Sequence, residues 1–323
     1  MRAIWLEDQK LSLRDDLPIP TPAENEALIK VNLAGICATD LELVRGYYPY
    51  SGIPGHEFVG VVVEAARRSS LVGKRVVGEI NIACGQCREC KDGNPHHCQN
   101  RSVLGIANHD GAFAEYLTLP IDNLHLIDDS IADEQAVFVE PLAAALEILE
   151  QVMIKPSDRI LLIGCGRLGL LVAQVLNLLS SPFIALAKYP HQQNLLSKWH
   201  IPYLTSPDQI EEKSFDLVVE ATGSPAGFDL ARKAIRPRKT IVLKSTYHGN
   251  MEVNMSAVVV DEINLIGSRC GPFPPAIELL RKGRVDVQSM IMGKYPLSDG
   301  IAAFHKAAEA GVLKILIDPW LNS

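Results

Sequence analysis

Polar and apolar positions follow two regimes along the chain. From Met1 to about Pro120, short runs rich in Val, Ile and Leu are broken by Pro, Gly and Asn, the pattern of strands joined by turns. Strands are expected at 27–33, 58–64 and 75–79, the last introduced by the turn Val72-Gly73-Lys74. The period then changes. Residues 133–152 are apolar at helical spacing, the turn Pro156-Ser157-Asp158 follows, and a strand is expected at 159–163. A helix opening after Gly166 and running to about Leu179, a strand at 183–187, a polar helix near 192–199 and strands at 216–220 and 240–243 continue the alternation. Strands and helices alternating in this way predict a parallel, doubly wound sheet, with 263–266 as its last strand. A helix at 274–282, another near 302–310 and a strand at 314–317 complete the chain.

A chain of 323 residues exceeds what one hydrophobic core usually supports, so the α/β pattern is expected to divide into two domains. Hydrophobic residues at 47% and charged ones at 21% argue against extensive disorder. A net charge of -7 gives no basic footprint for nucleic acid or an anionic membrane. No apolar run is long enough to span a bilayer, and residues 1–10 lack the basic-then-apolar order of a signal peptide. The expectation is a cytoplasmic protein whose partners are small molecules, with neither nucleic acid nor membrane. In that compartment the seven cysteines stay reduced, and clustered thiols point to metal rather than disulfides.

Cys84, Cys87, Cys90 and Cys98 stand as C-x2-C-x2-C-x7-C among the turn residues Gly85, Gly93 and Pro95. Four thiolates converging on one ion suit zinc, and four sulfurs leave no open position, so this site is structural in character. An iron-sulfur cluster is the main competitor, but the ferredoxin spacing ends C-x3-C-P, unlike the interval from Cys90 to Cys98. His96 and His97 are alternative ligands that read more simply as loop histidines.

A second constellation is Cys37 in Gly35-Ile36-Cys37-Ala38-Thr39-Asp40 with His56 and Glu57 in Gly55-His56-Glu57-Phe58-Val59-Gly60. Each part alone is ordinary: a single Cys is more often a small buried hydrophobe, and a His-Glu pair is usually polar surface. In combination with the four-cysteine segment and the strand-helix series, the chain resembles the zinc-containing medium-chain dehydrogenase family, over almost its whole length. That resemblance implies a GroES-like, mostly-β catalytic domain at 1–147 with a return at 285–323, and a Rossmann domain at 148–284. It implies Cys37, His56 and Glu140 (in Val139-Glu140-Pro141-Leu142-Ala143) as catalytic zinc ligands, with Glu57 beside or temporarily on the metal. Glu-Pro at 140–141 resembles the polyol, sugar and threonine dehydrogenase branch, where simple alcohol dehydrogenases carry Cys, and so implies a polar substrate. Ala66 and Lys74 depart from the family's usual Gly and Asp, at positions that supply no metal ligand.

Gly164-Cys165-Gly166-Arg167-Leu168-Gly169 follows a predicted strand and opens a predicted helix, the context that makes G-x-G-x-x-G evidence for a dinucleotide site. The glycines allow a tight turn, and the helix N-terminus offers N–H groups to a pyrophosphate. An NAD enzyme carries Asp or Glu at the end of the second strand, but this one ends Ala185-Leu186-Ala187-Lys188. A cation at that point favours NADP(H) over NAD(H). Thr222, in Glu220-Ala221-Thr222-Gly223, and Arg269, in Gly267-Ser268-Arg269, resemble further cofactor-approaching segments of the family.

The expected activity is zinc-dependent hydride transfer between a secondary alcohol, polyol or sugar-type substrate and the nicotinamide. By the resemblance Thr39 passes the substrate proton toward the cofactor ribose. A zinc-free quinone reductase of the same superfamily lacks the ligands seen here, and an NADPH-binding sensor predicts a missing ligand at the open zinc. Arg45, Tyr47, Tyr48 and His109 are candidate pocket residues. Relatives pair across the last strand of the sheet, so a homodimer or homotetramer is expected.

Overall fold

The structure, a computed structural model, describes residues 1–246 and 249–322. The chain divides into two compact units, one formed by residues 1–140 and 273 onward, the other by Pro141–Pro272. Ser323, at the end of the expected return segment, lies outside the described residues. The borders expected at 147/148 and 284/285 shift, because the helix Phe273–Arg281 belongs with the first unit. Its buried Phe273 ring packs against His125 there, with centroids 5.3 Å apart.

In the first unit a sheet runs in the order Ile291–Pro296, Lys314–Asp318, Glu26–Gly35, Glu57–Ala65, Arg75–Gly78, Leu124–Leu126, and Tyr116–Pro120 also pairs with Glu26–Gly35. The long central strand Glu26–Gly35 is paired along both edges and is buried along most of its length. Its end sets the register that matters most, with Gly35 opposite Glu57 on one side and Leu316 on the other. A hairpin of Ala3–Glu7 and Lys10–Arg14 and a small pair of Asn81–Ile82 with Ser102–Val103 complete the strands among the described residues.

The run of helical spacing expected at 133–152 is interrupted: a short helix Asp133–Ala136 precedes the helix Val139–Gln151. Pro141 sits in the first turn of the second helix, where a missing N–H costs no intrahelical bond.

The second unit holds a six-stranded parallel sheet in the order Tyr203–Leu204, Phe183–Leu186, Ile160–Ile163, Phe215–Glu220, Ile235–Leu243, Asn264–Gly267. Numbered along the chain, this is the order 3-2-1-4-5-6 of a dinucleotide-binding sheet. All four residues of Ile160–Ile163 are buried, as expected of a strand covered on both faces. The helices Arg167–Leu176, Pro190–Lys198 and Pro225–Ala234 link successive strands.

Gly169 is the most crowded of the described glycines in this unit: a Cβ there would lie 1.9 Å from the carbonyl oxygen of Gly164. Backbone cannot yield as a flexible side chain does. Gly169→Ala is therefore expected to destabilise the chain by about 1–3 kcal/mol, read as a lower urea midpoint at unchanged slope.

Candidate active site and metal centres

The first candidate centre is built at the carboxyl end of the central strand. Cys37 caps the short helix Ala38–Val44, and the Asp40 carboxylate turns back to accept the Cys37 N–H at 2.7 Å. His56 and Glu57 enter from the start of the neighbouring strand. Ligand atoms of Cys37, His56 and Glu57 lie within 4.8 Å of one another. Thr39 Oγ1 is 3.8 Å from Cys37 Sγ. Glu140, half-buried in the first turn of Val139–Gln151, is outside the set of donor atoms that approach this closely.

Two residues that the sequence reading passed over organise this cluster. Asp40 is fully buried, and its Oδ1 lies 3.3 Å from His56 Nδ1, an ion-pair distance without hydrogen-bond geometry. Burial opposes a charged imidazole, but the Asp40 carboxylate and the Cys37 sulfur raise the His56 pKa well above its ordinary value. A field that holds a proton on His56 also holds a metal cation, and the two compete for the same imidazole. Asp40 stands where a carboxylate orients a ligating histidine. Its position after Cys37 at the start of a helix was the available signal.

Lys314 is the second. It is 1% exposed, and its ammonium pairs with Glu57 Oε2, while Glu57 Oε1 is buried with no hydrogen-bond partner among the described residues. One carboxylate oxygen is thus committed to Lys314 and the other has no hydrogen-bond partner among the described residues. A cysteine sulfur, an imidazole and a carboxylate form a donor set suited to zinc. Gly35 makes the arrangement possible, since a Cβ there would lie 2.6 Å from Glu57 Oε2 and 3.3 Å from Lys314 Cδ. A lysine opening the strand Lys314–Asp318, ahead of the apolar Ile315-Leu316-Ile317, was the sequence trace of this pairing.

The second candidate centre gathers Cys84, Cys87, Cys90 and Cys98, again within 4.8 Å. Cys87 Sγ lies 3.5 Å from Cys90 Sγ and 3.8 Å from Cys98 Sγ. A tetrahedron with metal–sulfur bonds of about 2.3 Å has edges of about 3.8 Å, so the sulfurs are spaced for one ion. All of these cysteines are free of disulfides. Main-chain N–H groups of Gln86 and Cys87 lower the Cys84 pKa to about 6, whereas lost solvation and the Cys87 and Cys98 sulfurs push Cys90 up to about 12. Four adjacent sulfurs cannot all ionise without a cation to offset them. His96 faces Asn81, at 3.3 Å from its Nδ2.

The third candidate site lies in the second unit. Gly164 turns at φ +98°, and a Cβ on it would strike Ala221 O at 2.7 Å. Gly166 caps the helix Arg167–Leu176, and a Cβ on it would meet nothing within 4 Å. The loop is therefore closed beneath and open above, and the helix N-terminus offers its N–H groups on the open side. Arg167 and Leu168 are half-buried in the first turn. Cys165 is buried, which pushes its thiol up to about 12 and makes it unreactive. At the end of Phe183–Leu186, Ala187 is buried and Lys188 is exposed, its ammonium 5.4 Å from the Tyr189 ring centroid. Thr222 is fixed by Glu220, whose Oε1 accepts from Thr222 N at 2.7 Å and Oγ1 at 2.6 Å. Gly223 N donates to Ser245 Oγ at 2.7 Å, and the Arg269 carbonyl accepts from Lys244 at 3.1 Å.

Arg45 pairs with Glu42 at 2.5 Å, Tyr47 and Tyr48 are exposed, and His109 meets the carbonyl of Asp110 at 2.8 Å.

Residues 23–129 match the alcohol dehydrogenase GroES-like domain. D-arabinitol dehydrogenase 1 of Uromyces fabae is 31% identical, over 93% of this chain and 92% of that one. The chain belongs to the zinc-containing medium-chain dehydrogenase/reductase family. Its two folds are the GroES-like and Rossmann domains of that family, and it is a dehydrogenase. A chain of Sinorhizobium meliloti 1021 described as a zinc-binding dehydrogenase, solved bound to NADP, superposes with a TM-score of 0.89 at 27% identity, covering 98% of this chain and 99% of that one. The alcohol dehydrogenase rspB of E. coli CFT073, solved with NADH, gives 0.88 at 27% identity, covering 98% and 99%. No helix among the described residues is long and apolar enough to cross a membrane.

Removing one partner of a buried ion pair leaves the other charge uncompensated. Lys314→Met is expected to destabilise the chain by about 3–5 kcal/mol in urea denaturation. Adding Glu57→Gln to Lys314→Met recovers part of that loss, and the double-mutant cycle measures the coupling.

Proposed function

We propose that this dehydrogenase uses one catalytic and one structural zinc ion to move hydride between a polar secondary alcohol, of the polyol or sugar type, and NADP(H). The observation that carries the reading is the donor cluster of half-buried Cys37 with buried His56 and Glu57, with an unpartnered Glu57 oxygen and Asp40 beside the imidazole.

Bound zinc supplies Lewis acidity that lowers the pKa of a substrate hydroxyl, and the nicotinamide supplies the hydride acceptor. Cys37, His56 and Glu140 are the proposed ligands of the catalytic ion, and the four cysteines those of the structural one. The charges of Cys37 and Glu140 together neutralise a dication. Glu57 is neutralised separately by Lys314, which supports a carboxylate that joins the metal only during ligand exchange. Asp40 keeps the His56 ring oriented. Thr39, close to the Cys37 sulfur, is the proposed proton relay from the substrate hydroxyl, since a hydroxyl donates and accepts at once.

Gly164, Gly166, Arg167, Leu168 and Gly169 are proposed to receive the pyrophosphate, with Thr222 and Arg269 approaching the rest of the cofactor. Lys188, exposed where an NAD enzyme carries an acid, is proposed to meet a 2'-phosphate. The relative named for D-arabinitol and the Glu140-Pro141 pair both support a polar substrate. The last strand, Asn264–Gly267, leaves an open sheet edge, and Val259 and Val260 nearby are 70% and 80% exposed, which supports a homo-oligomer formed across that edge.

The deciding test is a spectrophotometric screen of the zinc-loaded chain with NADP+ and NAD+ against polyols, aldoses, secondary alcohols and threonine. Turnover on one polar class with NADP+ is expected, and silence throughout would overturn the reading. Lys188→Asp is expected to lower kcat/KM for NADP+ by roughly tenfold or more while sparing NAD+, as loss of a charge-assisted contact to phosphate requires. Cys98→Ser is expected to release one of two zinc ions per chain, measured by elemental analysis, with loss of thermal stability.

A further inference from the structure

Lys244 is 8% exposed, an unusual setting for a lysine. It follows the strand Ile235–Leu243 directly, and its main-chain N–H donates to the carbonyl of Glu220 at 2.8 Å, which fixes it at the carboxyl ends of the parallel strands. Its ammonium reaches the helix Val139–Gln151, where it donates to the carbonyl of Ala144 at 2.6 Å. It also reaches the segment after the last strand, donating to Ser268 Oγ at 3.1 Å and to the carbonyl of Arg269 at 3.1 Å. The helix supplies a charge partner as well: burial raises the Glu147 pKa, and the Lys244 ammonium opposes that rise by favouring the carboxylate.

Two further contacts join the same helix to the same segment. Gly271 is seated against the helix, where a Cβ on it would lie 2.1 Å from the carbonyl oxygen of Ala143 and 3.0 Å from Glu147 Cβ. Gln151 Nε2 donates to the carbonyl of Gly267 at 3.4 Å. Glu140 stands in the first turn of this helix, and Ala144 is one turn further along. A helix moves as a rigid element, so the contacts that hold Ala143, Ala144 and Glu147 also hold the main chain at Glu140. The segment 267–271 includes Arg269, assigned above to the cofactor, and an open parallel sheet takes its ligand outside the carboxyl ends of its strands.

We infer, resting on the zinc and dinucleotide assignments above, that Lys244 is a positioning residue that couples the two sites: it fastens the helix bearing Glu140 to the strand ends that receive the dinucleotide, so that each ligand strengthens the binding of the other. A dinucleotide that orders the segment 267–271 steadies the helix through Lys244 and Gly271. Glu140 then has less freedom to lose on reaching the metal, and the ion binds with a smaller ordering cost. The coupling is a free energy and is therefore reciprocal: zinc tightens the dinucleotide by the factor by which the dinucleotide tightens zinc.

The test is chelator competition for the catalytic zinc ion, the one absent from His56→Ala, with and without saturating NADP+ or NAD+, in wild type, Lys244→Met, Lys244→Arg and Ser268→Ala. Wild type is expected to hold the ion about fivefold or more tightly when the dinucleotide is bound, and calorimetry to give the same factor for dinucleotide affinity when zinc is present. Lys244→Met is expected to bring the factor to about one, and Lys244→Arg, which keeps the charge and the donors, to restore part of it. Ser268→Ala removes one acceptor and no charge, and an intermediate factor is expected. A merely structural lysine would lower stability or weaken both ligands with the factor unchanged. An unchanged factor in Lys244→Met, or in Ser268→Ala if Lys244→Met does not fold, would therefore overturn the inference. A wild type that binds zinc and dinucleotide independently would overturn it without any variant. A wild type that binds no dinucleotide, or one zinc ion only, would instead overturn the reading on which the inference stands.

Discussion

The buried contact between Glu57 and Lys314 constrains the first unit more than any other single interaction. It spans the central strand, joining the strand on one side to the strand on the other over Gly35, where no side chain fits. An ionised group taken from water costs several kcal/mol, so neither residue tolerates burial without the other. The pairing is therefore a condition on register. A slip of one residue in either flanking strand would turn one charge to the opposite face and strand its partner. Because His56 adjoins Glu57 and Cys37 follows shortly after Gly35, the register that satisfies the pair also sets the positions of the metal-suited donors.

Much of this was legible in the chain, and what was missed has a common cause. The parallel sheet could be read from Leu161, Val218 and Val242, whose neighbours are apolar on both sides as strands covered on two faces require. The four cysteines and the glycine loop were legible because each puts its chemistry within a few consecutive residues, where spacing alone restricts the geometry. The break between Ala136 and Val139 was not visible, since Val137 and Phe138 remain apolar and buried and keep the helical pattern intact across it. Lys314 was invisible for a different reason: the meaning of a lysine in an apolar strand depends on a carboxylate 257 positions away.

Asp40 shows where the boundary between these cases falls. Its role toward Cys37 is local, a carboxylate accepting the N–H at the start of a helix, and is predictable in kind. Its role toward His56 depends on two strands meeting at Gly35 and Glu57. A sequence reading identifies ligands by type and spacing, but the residues that orient ligands are chosen by the fold and carry no spacing of their own.

The two units solve the burial of charge in different ways, and the difference follows from what each has to hold. In the first unit the charges come as opposites: Glu57 with Lys314, and Asp40 with an imidazole made strongly basic. Such pairs neutralise their surroundings locally. In the second unit the loop around Gly164 presents main-chain groups and almost no side chain, which suits a polyanion that must be approached closely.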